Sequence, residues 1–188
     1  MDPRTLRVLE YSKILDLLAA ETITPMGREQ AAALQPAGDI ELCRARLRET
    51  TEAGALRAAG EVPLRGARDL RPHLRRATAG GMLGPQELLD VAQTLHVARR
   101  LKGFLEGHRT KAPHLAGIGD RVTPLLHLEE QVAAVLDDEG QVRDDASPDL
   151  RRIRIEQRTL ERRVREALES LLRDPTYGRM VQDPLIMI

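Results

Sequence analysis

The chain has 188 residues with 29 basic and 29 acidic side chains, so its formal net charge is zero and overall charge does not point to nucleic acid or a membrane surface. Its apolar residues are mostly Leu, Ala and Val, and only Tyr11, Phe104 and Tyr177 are aromatic, a balance that disfavours a β-rich domain. Cys43 is the single cysteine, which excludes an internal disulfide and a cysteine-cluster metal site, and no apolar run is long enough to span a bilayer.

The opening MDPRTLRVLEYSK has no apolar signal-peptide core, so a reducing intracellular location is expected. Ser12 predicts a helix cap, with Ile14, Leu15, Leu17 and Leu18 forming a broad apolar face up to about Glu21. Thr24-Pro25 repeats the cap-then-proline signal for a helix to about Leu34, which Pro36 stops. Asp39 caps a third helix that Gly60 ends. GEVPLRGARD is a loop by its Gly and Pro content. Asp69 caps a short helix with Pro72 in its first turn, and Gly80-Gly81 breaks the chain. Pro85 begins a long helix to about Leu105 or Gly107, with Leu88, Val91, Leu95, Ala98, Leu101 and Leu105 at helical spacing. Residues 107–123 carry Gly, Pro and His and predict short helical turns. Residues 124–136 are amphipathic and helical, and the acidic DDEGQVRDDAS that follows predicts a polar turn holding a brief hairpin.

Ser147 caps the last and longest helix, to Arg173, with Pro148 at its first position. Leu150, Ile153, Gln157, Leu160, Val164, Ala167 and Leu171 are spaced alternately three and four, a heptad seam broken once by Gln157. At 1.5 Å per residue this helix is roughly 39 Å long. Arg154, Glu156, Glu161 and Arg163 flank the seam with alternating sign, the pattern that sets helix pairing. Arg151, Arg158 and Arg165 fall on one outer line and are the candidate DNA contacts, against a solvated face with pairs such as Glu161–Arg165 and Glu169–Arg173. No aromatic accompanies them, which argues against a stacking platform for single strands. The closing LIMI reads as the start of a strand. The predicted fold is all-α, a helical bundle around helices at about 85–105 and 148–173, with a core domain 1–146, the long helix 147–174 packed on it, and a further region starting at 175–188.

Catalytic signals are lacking. No GxxxxGK[ST] occurs, so no P-loop is expected. His73, His96, His108, His114 and His127 form no metal-ligand spacing, although His108 and His114 flank one loop. Asp137, Asp138 and Glu139 lack calcium-loop spacing. No paired base and nucleophile is present, so no catalytic, cofactor-binding or metal residue is assigned.

Six stretches together resemble the N-terminal part of the type-two MutS paralogues, bacterial relatives of the mismatch-repair protein MutS. They are LEYSKILDLLA, GREQAAALQP, PLRGARDLRPHLRRA, GGMLGPQELLDVAQTLHVARRLKGFL, LDDEGQVRDDASPDLRRIR and QDPLIMI, in order along nearly the whole chain. Gly84 departs from the Ser-type cap expected before Pro85. The resemblance implies a helical core and a rising lever helix, followed in the longer protein by a clamp, an ATPase domain using ATP and a divalent metal, and a Smr nuclease domain. It further implies a homodimer, cytoplasmic and nucleoid-associated, that suppresses homologous recombination by acting on branched DNA. A role at stalled ribosomes is attributed to some members. For these residues alone it implies a structural coupling and assembly module, with a helical dimerisation module free of DNA contact as the alternative.

Overall fold

The computed structural model describes residues 2–173 and contains nine helices among them, with no strand beyond one isolated bridge. They are α1 (Pro3–Val8), α2 (Tyr11–Ala20), α3 (Pro25–Ala32), α4 (Ile40–Ala59), α5 (Arg71–Thr78), α6 (Pro85–Gly107), α7 (Pro113–Asp120), α8 (Leu126–Val135) and α9 (Pro148–Arg173). The fold is therefore all-α, as composition and periodicity predict. The chain divides into two compact units, Met1–Ala133 and Ala134–Ile188. The expected strand at LIMI lies outside the described residues.

Short polar side chains start several of these helices. Thr24 accepts from the Gly27 amide at 3.1 Å, and Asp39 accepts from the Glu41 amide at 2.8 Å, each satisfying a donor that the helix itself leaves free. One predicted cap, Ser12, is replaced, and the cap that Gly84 cannot give is supplied from within α6. α2 begins at Tyr11, not after Ser12, because Glu10 adopts a left-handed conformation (φ 50°) that turns the chain directly out of α1. At α6 the capping comes from the third helical residue instead: the Glu87 carboxylate accepts the Gly84 amide at 2.8 Å. Asp69 lies one residue before the cap position of α5 and accepts from the Arg71 amide at 3.0 Å.

In the first unit α2 packs on α1 and α3, while α7 packs on both α4 and α6. The core sits in the second group. Leu56 of α4, Leu105 of α6 and Ala112 before α7 are buried together, with Val62, Leu101, Phe104 and Leu115 half-buried around them. Gly119 sits at this contact: a Cβ there would lie 3.2 Å from Leu105 Cδ1, so a side chain at this position would make Leu105 shift by a few tenths of an ångström. Val97, which the predicted stripe of α6 omits, is also buried. α1 and α2 bury none of their residues, and Val8, Ile14 and Leu17 are exposed.

Two carboxylates, Glu129 buried and Glu52 half-buried, tie helices together. Glu129 of α8 is 9% exposed and is held by Arg99 of α6 through a two-pronged pair at 3.0 and 2.9 Å. Glu52 of α4 accepts from the His114 ring at 2.5 Å and from the Leu115 amide at 3.0 Å, so it caps α7 from another helix. His108 instead donates from Nδ1 to the Phe104 carbonyl, 2.8 Å away, and its ring lies tilted against the Phe104 ring with centroids 4.5 Å apart. The two loop histidines thus have separate partners and form no shared site.

In the second unit Leu136 and Val142 form an antiparallel bridge, and the Asp137 amide donates to the Gln141 carbonyl at 3.0 Å. This is the brief hairpin predicted from the polar turn. Gly140 takes a positive φ of 79° at its tip.

Candidate functional site

α9 carries every residue for which the sequence offers a role. Its start is secured by Ser147, whose hydroxyl accepts from the Leu150 amide at 3.1 Å, and Pro148 occupies the first position as predicted. No Gly or Pro follows within it, so every interior amide keeps its internal bond.

The heptad seam is exposed. Ile153, Leu160 and Val164 are 52%, 50% and 49% exposed, and Leu171 is exposed with them, while Leu150 is half-buried. Ile153, Gln157, Leu160 and Val164, with Glu156 and Glu161 at the rim, line a shallow groove of about 360 Å³. Gln157 keeps its side chain on its own helix and donates to Glu161 at 2.9 Å. That bond takes the carboxylate expected to pair with Arg165, and the Glu161–Arg165 pair does not form. The expected Glu169–Arg173 pair does form, at 3.2 Å.

The outer arginines differ from one another. Arg158 pairs with Asp144, which also holds Arg154; Arg154 donates in addition to the Val142 carbonyl at 2.9 Å. The hydrogen bond from Arg154, then that from Arg158, holds the Asp144 carboxyl below the usual range. One carboxylate thus serves two guanidiniums. Arg151 lines a hollow of about 420 Å³ beside Ser147 and Ile155, and neither Arg151 nor Arg165 has an acidic partner among the described residues. The three therefore do not form one uniform basic stripe.

Residues 65–76 hold five arginines, and four of them are paired with carboxylates. Arg71 pairs with Asp69 and Glu29, Arg76 with Glu87, Arg65 with Glu61 and Arg68 with Asp90. Hydrogen bonding from the Arg71 side chain, then from its amide, lowers Asp69 to about 2. Glu129 is likewise lowered, chiefly by its hydrogen bond from Arg99. Burial pushes Glu52 up, but the Leu115 amide and His114 outweigh it and the carboxyl is lowered. Sequence reasoning missed Glu52 and Glu129, since their partners lie on other helices. Among the described residues no group of His, Cys, Asp and Glu could hold a metal ion, and no helix is long and apolar enough to cross a membrane.

No family model matches the chain. It is 43% identical over 189 residues to "Endonuclease MutS2" of Symbiobacterium thermophilum, covering 100% of this chain and 24% of that protein. It is 42% identical over 192 residues to the protein of the same name in Geobacillus kaustophilus, covering 100% and 24%. The Bacillus cereus protein of that name is 37% identical over 190 residues, covering 98% and 24%. The chain spans about a quarter of the length of these relatives, and the matched part is their N-terminal segment.

Proposed function

The chain belongs over its whole length with the N-terminal segment of the MutS2 endonucleases, and on that footing we propose that it is the core and lever portion of a MutS-like DNA-binding ATPase and endonuclease. The portion itself couples and assembles; the chemistry belongs to the rest of the longer protein. That protein acts on branched DNA, suppresses homologous recombination and takes ATP and a divalent metal outside these residues. The single observation that carries this reading is α9: 26 residues of unbroken helix in a chain that aligns end to end with one quarter of its relatives. A helix of roughly 39 Å passes a displacement at one end to the other because its backbone bonds are internal and its length is fixed. The core 1–146 is then the base, and 147–174 the arm.

No GxxxxGK[ST] occurs in these residues, and the reading places ATP binding elsewhere in the longer protein. The test is made in a protein joining this segment to the remaining length of a MutS2 relative. Val164→Pro breaks α9 mid-way. Basal ATP turnover and junction binding are expected to persist, while stimulation of turnover by junction DNA is lost. Full stimulation in that variant refutes the lever role.

A second reading, direct DNA contact by α9, draws on Arg151 and Arg165, which lack acidic partners among the described residues. A gel shift of four-way junction DNA by residues 1–188 separates the readings. Direct contact requires a shift at low salt that Arg151→Glu/Arg165→Glu abolishes.

A further inference from the structure

We propose that the cleft between α6 and the loop that follows α4 binds a phosphate monoester carried on a sugar-sized body. The cleft lies within the first unit and has a volume of about 390 Å³, in the range of small-molecule sites. It does not depend on the lever reading. One wall is a single face of α6: Gln93, His96, Val97 and Arg100 follow at intervals of three, one and three, so they share a side of the helix. The other wall is the loop, with Val62, Pro63 and Arg65. Val97 is 6% exposed and, with Val62 and Pro63, gives the cleft an apolar part.

The loop is pinned to the helix. The Leu64 amide donates to the Val62 carbonyl at 2.9 Å, and the Arg68 amide donates to Thr94 Oγ1 of α6 at 3.0 Å. Gly66, at φ 92°, passes so near Gln93 that a Cβ there would lie 2.7 Å from its Nε2. These contacts hold the two walls at a set separation. The rim is rich in donors. The Arg100 side chain has no ion pair or hydrogen bond among the described residues. Arg65 has only Glu61, at 3.1 Å, and the two side chains are 81% and 77% exposed, so that pair is weak. Arg99 Nη2 donates to His96 Nδ1 at 3.1 Å; a guanidinium cannot accept, so the hydrogen of the neutral ring sits on Nε2. Two guanidiniums, the Gln93 amide and an imidazole N–H are thus set against one carboxylate.

These donors select the ligand. A planar carboxylate is satisfied by one guanidinium and would leave the opposite wall unused. A tetrahedral phosphate with three outer oxygens accepts from the loop and from α6 together. A monoester carries about −1.5 to −2 charges at neutral pH, which balances Arg65 and Arg100 once it displaces Glu61 from Arg65. The apolar residues suit the C–H faces of a sugar, and no aromatic lines the cleft to grip a base by stacking. Such a group comes from two sources: a free sugar phosphate, or the 5′-phosphate at the end of a nucleic-acid strand.

The test is calorimetric titration of residues 1–188. Ribose 5-phosphate is expected to bind with Kd on the order of 0.1 to 1 mM, and ribose not at all. Arg100→Ala and Arg65→Ala should each weaken binding about 10-fold, and Glu61→Gln should tighten it about 3-fold. Arg48→Ala, at an arginine of α4 outside the cleft, should leave it unchanged. All four positions are exposed, and circular dichroism checks that each variant keeps its helices. Competition tells the sources apart. A short strand with a 5′-phosphate that displaces ribose 5-phosphate, when the same strand without it does not, names the strand end. Failure of both strands to displace it names a free sugar phosphate. Displacement by both alike means that the cleft takes backbone diesters and overturns the monoester. No binding of ribose 5-phosphate up to about 10 mM, succinate binding as tightly, or the same loss with Arg48→Ala as with Arg100→Ala also overturns the proposal.

Discussion

Leu56→Ala is the sharpest test of how α4, α6 and α7 are held together. Leu56 is 1% exposed and is the largest fully buried side chain among the described residues. It packs on Leu105 and Ala112, with Val62 and Phe104 at the edge. Truncation removes the transfer energy of the lost carbons and leaves a cavity, together about 3 kcal/mol, within the roughly 2–5 kcal/mol such changes cost. Unfolding entropy of about 2.1 cal/mol/K per residue over the 133 residues of Met1–Ala133 is about 0.28 kcal/mol/K, so Tm should fall by about 11 °C. Leu47→Ala, on the same helix but 65% exposed, should move Tm by less than about 2 °C. Thermal unfolding followed by circular dichroism and by calorimetry gives both numbers. Equal shifts for the two variants would refute the assignment of the core to this contact.

Three further outcomes are expected. Asp69, Glu52 and Glu129 are all held below their ordinary values, so each stabilises the fold above its unfolded value and that stability is lost as pH falls through the folded one. For Asp69 the window runs from 3.8 down to about 2, and Asp69→Asn should flatten the fall of Tm with acid there. Glu129→Gln should flatten it just below 4.5, read by the same melts. The glycines of α7 and α4 should respond oppositely to alanine: Gly119→Ala meets Leu105 at 3.2 Å and should cost about 1 kcal/mol in urea unfolding, whereas Gly54→Ala meets nothing within 4 Å and should gain about 0.5–1 kcal/mol.

What was legible in the chain was local. Thr24, Asp39 and Ser147 each act on an amide two or three residues away, so the cap and its helix are read together. The length of α9 and its seam follow from spacing alone. Ser12 misled because the preceding helix decided the start, Glu10 turning the chain out of α1; at α6 the start at Pro85 was legible but its cap, supplied by Glu87, was not. The contacts that fix the packing were not legible, since Arg99 and Glu129 are 30 residues apart and Glu52 and Leu115 are 63 apart. Nor does spacing reveal that Arg158, on the same outer line as Arg151 and Arg165, is already paired through Asp144.

The carboxylate of Glu52 also bears on the order in which the chain folds. α7 has only eight residues and cannot hold a helix alone, because nucleation costs more than so few bonds return. Its first amides are satisfied from α4, across a stretch that must close before the bond forms. α7 is therefore a late element whose amides should exchange with solvent together with those of α4 around Leu56, in one opening event. Hydrogen exchange that released α7 well before α4 would place the two in separate cooperative units.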